Sequence, residues 1–244
     1  MLFPGGYSQV ASHLARGLVI KTGHVVQQIE WGTKGVRIHC SNGAVLTGGR
    51  VIVTMPLGVL KSGAITFSPA LPLRKAEAID RLGMGLLNKH FLRFDNAFWP
   101  EDADWHELVK PDPGKWSQWV SFAKAAGKPV LLGFTGADMA KAVEALDDKA
   151  IIAEAMTAVR SMFGSSAPDP VAVQMTRWSR DPFALGSYSF NAVGSSAADR
   201  KALAAPEAGG ALILAGEACS ANYPGTVHGA LISGRAAVKQ ILGK

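Results

Sequence analysis

Apolar and polar positions alternate along residues 25–31, 36–40, 44–46 and 50–55, the period-two spacing of half-buried strands. Ser41-Asn42-Gly43 predicts a hairpin turn between the second and third of these, and Pro56 ends the fourth. Upstream, residues 5–17 read as a helix opening on Gly5-Gly6, with Val10, Leu14 and Leu18 on one face. Residues 72–82 read as a second helix, with Pro72 near its first turn and Gly83 past its end. Residues 88–94 are strand-like. Pro100, Pro111, Pro113 and Gly114 mark 95–116 as a loop-rich connection. A strand pair over 116–122 and 129–134 follows. Asp147 or Asp148 then caps a helix that runs to Phe163 and stops at Gly164. Ile151, Ile152, Ala155, Met156, Val159 and Met162 give that helix one apolar face. Residues 171–178 read as a strand, 186–198 as a Gly/Ser/Ala segment, 211–215 as a buried strand and 226–242 as a final helix. The mixture indicates an α+β or α/β chain with at least one mixed sheet.

Composition sharpens this picture. Of 244 residues, 48% are hydrophobic and 18% charged, against about 25% charged in typical soluble domains. The chain can bury a large core, and disorder is excluded. The net charge of +6 is uneven: residues 1–94 carry eleven Lys or Arg against three Asp or Glu, and the remainder fourteen against sixteen. A basic half suits an anionic ligand or an acidic partner. No run of cations exceeds Arg74-Lys75, which argues against nucleic acid. Two cysteines, Cys40 and Cys219, exclude a disulfide framework and a CxxC metal site. Both lie in strand-like stretches and read as buried free thiols in a reducing compartment, which implies a cytoplasmic protein. No apolar run reaches the ~18 residues of a membrane span, and residues 1–6 lack the pattern of a signal peptide.

Several active-site patterns are missing. There is no GxSxG elbow and no phosphate-binding Walker loop. The histidines at 13, 24, 39, 90, 106 and 228 show no metal-ligand spacing and read as surface or core residues, so no metal is expected. Gly83-Met84-Gly85 begins like a dinucleotide fingerprint, but Leu86-Leu87-Asn88 continue it as a strand and the fingerprint fails.

The informative stretch is C-terminal. A buried strand ends at Ala215-Gly216-Glu217, and a turn, Tyr223-Pro224-Gly225, opens the last helix at Thr226-Val227-His228. Ligands of α/β sheets bind at carboxyl ends of strands, and a helix start offers free N–H groups and a positive dipole end. Glu217 is placed to accept hydrogen bonds from sugar or ribityl hydroxyls. An ordinary strand–turn–helix with a surface glutamate fits the same residues.

These stretches, continuing through Gly229-Ala230 and Ser233-Gly234, resemble the C-terminal flavin motif of the FAD-dependent amine oxidases, the superfamily of polyamine oxidases, histone lysine demethylases and monoamine oxidases. Three further blocks are similar and in order. Val51-Ile52-Val53-Thr54-Met55-Pro56-Leu57-Gly58 resembles the strand and turn before the family's substrate domain. Leu86-Leu87-Asn88-Lys89, ending at Phe98-Trp99, resembles the block that holds its active-site lysine. Arg177-Trp178, Asp181-Pro182 and Gly186-Ser187-Tyr188-Ser189 resemble the block whose aromatics pack at the flavin. The fine pattern is nearer to polyamine oxidases and lysine demethylases than to mammalian monoamine oxidases.

The resemblance implies FAD as cofactor and a small-molecule amine as substrate, oxidised at its C–N bond by hydride transfer, with imine hydrolysis and release of peroxide. It implies that Lys89 reaches flavin N5 through a water, and that Trp178 and Tyr188 wall the flavin and the amine. Lys89 and Tyr188 are thus the candidate catalytic residues. Thr226 and Val227 would give N–H groups to the flavin's pyrimidine edge, Val26 its backbone to adenine, and Pro56, Gly216 and Glu217 further cofactor contacts. Phe183 reads as core; His228 and Cys219 receive no role. The family's glycine-rich βαβ unit for the ADP moiety is not found. The expectation is therefore a C-terminal portion of such an enzyme, inactive alone, with its FAD-binding half or a partner chain missing, and able to form a homodimer. Residues 1–58 and 205–244 would be the α/β remainder of the flavin domain, and 59–204 a substrate domain with a mixed sheet backed by helices. Two alternatives share these residues: a non-catalytic binding or assembly module, and a related flavin oxidase or desaturase acting on a C–C bond.

Overall fold

Residues 3, 5–100, 102–109 and 115–243 are described by the computed structural model. Pro111, Pro113 and Gly114 of the predicted connection, and Met1, Leu2 and Pro4, lie outside the described residues. In chain order the elements begin with α1 (Ser8–Leu14), β1 (Val26–Gly32), β2 (Gly35–Cys40), β3 (Val45–Gly48), β4 (Val51–Val53), α2 (Leu57–Ser62) and β5 (Thr66–Ser68). Then come α3 (Leu73–Arg81), β6 (Gly83–Gly85), β7 (Leu87–Arg93), β8 (Trp105–Glu107), β9 (Lys115–Ser121), α4 (Ala123–Ala126) and β10 (Val130–Gly136). The last are α5 (Ala137–Glu144), α6 (Asp148–Phe163), β11 (Ala172–Met175), β12 (Tyr188–Phe190), α7 (Ala197–Ala204), β13 (Leu212–Leu214) and α8 (Val227–Leu242).

Local chemistry explains most of these bounds. Asp147 caps α6 by accepting from the Ala150 N–H at 2.7 Å. Ser196 and Asp199 form a reciprocal capping box at the start of α7, inside the stretch read as a Gly/Ser/Ala segment. The β2–β3 turn closes with Gly43 at φ +83°, which a side chain would resist. Pro56 ends β4 and also starts α2, a helix absent from the sequence reading. Likewise β8 occupies the connection predicted as loop. The first helix is shorter than 5–17 and buries none of its residues; Leu14 and Leu18 are exposed. Of its expected apolar face only Val10 is partly covered.

The chain divides into two compact units, Met1–Ile20 with Leu86–Trp178, and Lys21–Gly85 with Ser179–Lys244. The first unit holds a five-stranded sheet, order β11-β7-β10-β9-β8, antiparallel throughout. Ile151, Ala155, Met156 and Val159 of α6 join Leu92, Trp119 and Leu131 of the sheet in one core. Burying each large side chain of that kind is worth about 1.5–3 kcal/mol. The indole N–H groups are satisfied there: Trp99 donates to Ser121 Oγ at 2.8 Å and Trp119 to the Trp116 carbonyl at 2.9 Å.

The second unit contains the mixed sheet, order β3-β2-β1-β5, in which β1 and β5 run parallel. The expected mixed sheet is thus here, while the sheet carrying Lys89 is antiparallel throughout, its central β7 pairing with the later strands β10 and β11. Two small pairs complete the unit, β12 with β6 and, in parallel, β13 with β4. Its core joins Ile29, Val53, Leu57 and Leu82 to Leu203, Leu212 and Leu214. Lys75 of α3 is fully buried and donates to the carbonyls of Ala202, Leu203 and Ala205 at the end of α7. Residues 59–85 and 179–204 pack with this unit, so the compact units and the expected functional partition follow different boundaries. Among the described residues no helix is long and apolar enough to cross a membrane.

Candidate flavin and amine site

Lys89 lies in the middle of β7. Strand alternation sends Asn88, His90 and Leu92 into the core and Lys89 and Phe91 to the opposite sheet face. Lys89 stands across from Phe134 of β10, and Phe134 stacks on Trp105 with ring centres 5.9 Å apart and planes at 12°. Lys89 thus shares with Phe91 and Phe134 the sheet face opposite α6. Among the described residues the Lys89 ammonium has no hydrogen-bond or ion-pair partner, although its main chain is tied twice to Thr176. Its N–H donates to Thr176 Oγ1 at 2.9 Å, and its carbonyl accepts from the Thr176 N–H at 2.9 Å. Trp178 follows two residues later, half-buried.

Beneath that face lies a buried polar layer. His90 donates to or accepts from Thr135 Oγ1 at 3.1 Å and packs edge-on against Trp116. Burial, reinforced by the nearby Arg177 charge and opposed by Glu144, lowers its pKa to about 4, so the imidazole is neutral at physiological pH. His106 is also lowered, chiefly by burial.

The second unit gathers the C-terminal motif. Gly216 leaves β13 at φ +140° and its N–H donates to Ser233 Oγ of α8 at 3.2 Å. Glu217 Oε1 accepts from the Ser189 N–H at 3.0 Å; Oε2 accepts from Ser189 Oγ at 2.7 Å and the Gly225 N–H at 2.6 Å. Three of roughly four carboxylate acceptor positions are therefore used inside the protein. Glu217 fastens β12 and the 223–225 turn to the end of β13, and one position remains for a ligand hydroxyl. Buried Arg200 supports the arrangement, donating Nη1 to Ser189 Oγ at 2.7 Å and to the Ala218 carbonyl at 3.2 Å. Burial draws its pKa down and the Glu217 charge opposes that.

Thr226 caps α8 by accepting from the Gly229 N–H at 3.0 Å. The N–H groups of Val227 and His228 are then left at the helix start without an intrahelical carbonyl. The Tyr188 ring lies against two glycines: a Cβ on Gly85 would sit 3.4 Å from it and one on Gly225 3.5 Å. A Cβ on Gly83 would fall 2.3–2.6 Å from the Phe190 ring. The Gly83-Met84-Gly85 pattern is thus a floor for two aromatic rings, which is why it carries no dinucleotide fingerprint.

The expected residues are distributed accordingly. Tyr188, Gly216, Glu217, Thr226 and Val227 converge within the second unit. Val26 sits there too, at a register shift of β1 against β2, and Pro56 at the start of α2. Lys89 and Trp178 belong to the first unit. Phe183, read as core, is 63% exposed because Asp181 turns the chain outward there. Cys219 lies on a 3-10 turn rather than a strand and is half-buried, its thiol pushed up to about 12 by burial. Ser189, Asn88 and Glu144 were not legible as site residues, since their partners lie far along the chain.

The family model for flavin containing amine oxidoreductases matches residues 1–242. The lysine-specific histone demethylase 1 homolog 3 of Oryza sativa subsp. japonica is 38% identical over 237 residues, 95% of this chain and 29% of its own length. Polyamine oxidase 2 of Arabidopsis thaliana is 37% identical over 229 residues, 94% of this chain and 46% of its own. A putrescine oxidase structure superposes with TM-score 0.81 at 20% identity, covering 98% of this chain and 53% of that one. The chain therefore spans less than half the length of these two curated relatives.

Proposed function

The chain belongs to the flavin containing amine oxidoreductase family, and from that premise we propose that it supplies the amine-facing and flavin-ring-facing parts of an enzyme that oxidises the C–N bond of an amine. FAD, the family's cofactor, supplies when bound a two-electron acceptor that oxygen can re-oxidise to give peroxide. The start of α8 fits such a group: capped by Thr226, it presents the N–H groups of Val227 and His228 and a positive dipole end to an electron-rich ring edge. Glu217 and Arg200 hold that helix start in place through Ser189 and Gly225. Tyr188, backed by glycines, offers a flat wall to an amine. Lys89 orients a water from its aromatic face, and its unpaired amine suits proton transfer to or from that water. The oxidised amine, an imine, is hydrolysed to an aldehyde and a smaller amine.

One observation carries this reading: an unpaired lysine beside Phe134, itself stacked on Trp105, at the position where the resemblance puts the family's active-site lysine. The nucleotide half of FAD needs more than these residues offer. Among the described residues β13 and β4 pair only with each other, so the proposal includes a dinucleotide-binding part that adds strands to them, from the same polypeptide or a partner.

Lys89→Met tests the reading in FAD-loaded protein. The substitution keeps length and apolar bulk, so flavin content should hold. Flavin reduction by amine, or re-oxidation by oxygen, should slow by roughly 10²-fold or more, as for loss of a positioned proton-transfer group. Stopped-flow flavin spectra separate the two half-reactions. Unchanged rates in both would remove Lys89 from the chemistry.

A further inference from the structure

Lys89 is flanked by a residue that the reading above leaves unused. Asn88 is fully buried, and its side-chain amide is occupied on both sides. Its Nδ2 donates to Glu144 Oε1 at 2.5 Å, across to the last residue of α5. Its Oδ1 accepts twice, from Thr176 Oγ1 at 3.1 Å and from the Trp178 N–H at 3.2 Å. Thr176 in turn holds both main-chain polar groups of Lys89. The strand β11 ends at Met175, so at Thr176 a hydroxyl replaces the carbonyl that a continuing strand would offer. The chain can then leave the sheet while Lys89 keeps its ladder bond. Trp178 is fixed by the same amide two residues later.

We propose that Asn88 is a positioning residue for the amine oxidation, clamped by Glu144, which sets Lys89 and Trp178 in register with one another through Thr176. The inference rests on the amine-oxidase reading for its consequence and on these bonds for its geometry. Asparagine is required by polarity: the amide must donate to a carboxylate on one side and accept from a hydroxyl and an N–H on the other. Glu144 is 3% exposed, so the bond is made away from water, where loss of a partner is costly. A leucine of similar size would leave the Trp178 N–H without its acceptor and take one donor from the Glu144 carboxylate. An aspartate would face Glu144 with a second carboxylate.

Exchanging donor and acceptor tests this. Asn88→Asp alone loses the donor to Glu144 and sets two carboxylates together, which should push the side chain off Thr176 and Trp178. Hydrogen exchange at the Lys89 and Trp178 amides should then accelerate by about tenfold or more, the scale of a lost buried hydrogen bond, with amides of α6 unaffected. In FAD-loaded protein it should slow flavin reduction by amine about tenfold while KM for the amine stays within about twofold. Asn88→Asp with Glu144→Gln restores the clamp with its donor reversed, and should recover both readouts. Thr176→Val, which adds no charge, should release the Lys89 amide alone, and serves if Asn88→Asp does not fold. Unchanged exchange at both amides in Asn88→Asp, or at Lys89 in Thr176→Val, would overturn the clamp. Recovery of melting temperature in the double variant without recovery of the reduction rate would reduce Asn88 to a structural residue. Absence of flavin reduction by any amine in the unsubstituted protein would instead sink the amine-oxidase reading, and the exchange data would still decide the geometry.

Discussion

Acidification should destabilise the first unit through His90. In the fold its pKa is held to about 4, against an ordinary value of 6.5. A histidine whose folded value is depressed stabilises fully above its unfolded value, and the stabilisation is lost as pH falls toward the folded one. The window is therefore pH 6.5 to about 4. Within it each pH unit removes up to about 1.4 kcal/mol, so pH 5 should lie about 2 kcal/mol below pH 7.5 from this residue alone. Few ordinary carboxylates have been protonated by pH 5, which keeps the comparison clean. His106, also lowered by burial, adds to the loss in the same direction. The control is His90→Gln, which can keep a hydrogen bond to Thr135 but does not titrate. Urea unfolding followed by tryptophan fluorescence at pH 7.5 and pH 5 gives the two differences. The variant should be less stable at pH 7.5 and should lose about 2 kcal/mol less than the unsubstituted chain on going to pH 5. Equal losses in both proteins would show that His90 is solvated or charged in the fold, and would refute the account of the buried polar layer.

Two further substitutions probe the second unit. Gly83→Ala should destabilise by about 1–3 kcal/mol because its Cβ would lie 2.3–2.6 Å from the Phe190 ring, whereas Gly85→Ala meets Tyr188 at an ordinary 3.4 Å and should cost little; urea midpoints that rank them the other way would contradict the glycine floor. Glu217→Gln turns an amide NH2 toward Ser189 or Gly225 N–H groups and should cost about 1–3 kcal/mol in thermal or urea unfolding, while a neutral result would mean that the carboxylate is not the fastener of the 223–225 turn.

The long elements were legible because period and punctuation agree in them. The helix at 148–163 shows its Asp147 cap, its apolar stripe and its Gly164 stop in sequence, and the structure reproduces each. The final helix is marked in the same way by Thr226. Short elements were not, because three-residue strands such as β12 are defined by partners rather than by pattern. The helix α7 carried a readable Ser196…Asp199 box that the small residues around it obscured. In the site, Glu217 was legible at the end of a buried strand before a turn and a helix start, whereas Lys89 was found through resemblance. The saturation of Glu217 by Ser189 and Gly225, and the burial of Glu144 against Asn88, depend on contacts 8 to 56 residues apart in sequence, which no local pattern encodes.

The parallel pair of β4 with β13 has a kinetic meaning. Its strands, Val51–Val53 and Leu212–Leu214, are joined through everything between them, and the core beside them unites residues from both ends of that span. This unit cannot close until nearly the whole chain has been synthesised. Loop-closure entropy rises only slowly with length, by about 0.6 kcal/mol per doubling, so distance itself is a modest barrier. Waiting is the larger difficulty, because Ile29, Val53 and Leu57 emerge early without the leucines that later cover them. The sheet of residues 86–178 lies wholly within that span, and its pairings, β7 with β10 and β11 included, close shorter loops than β4 with β13, so it can form first and shorten the effective loop. The second unit would then be the late and aggregation-exposed step of folding, the stage at which chaperones have most to contribute.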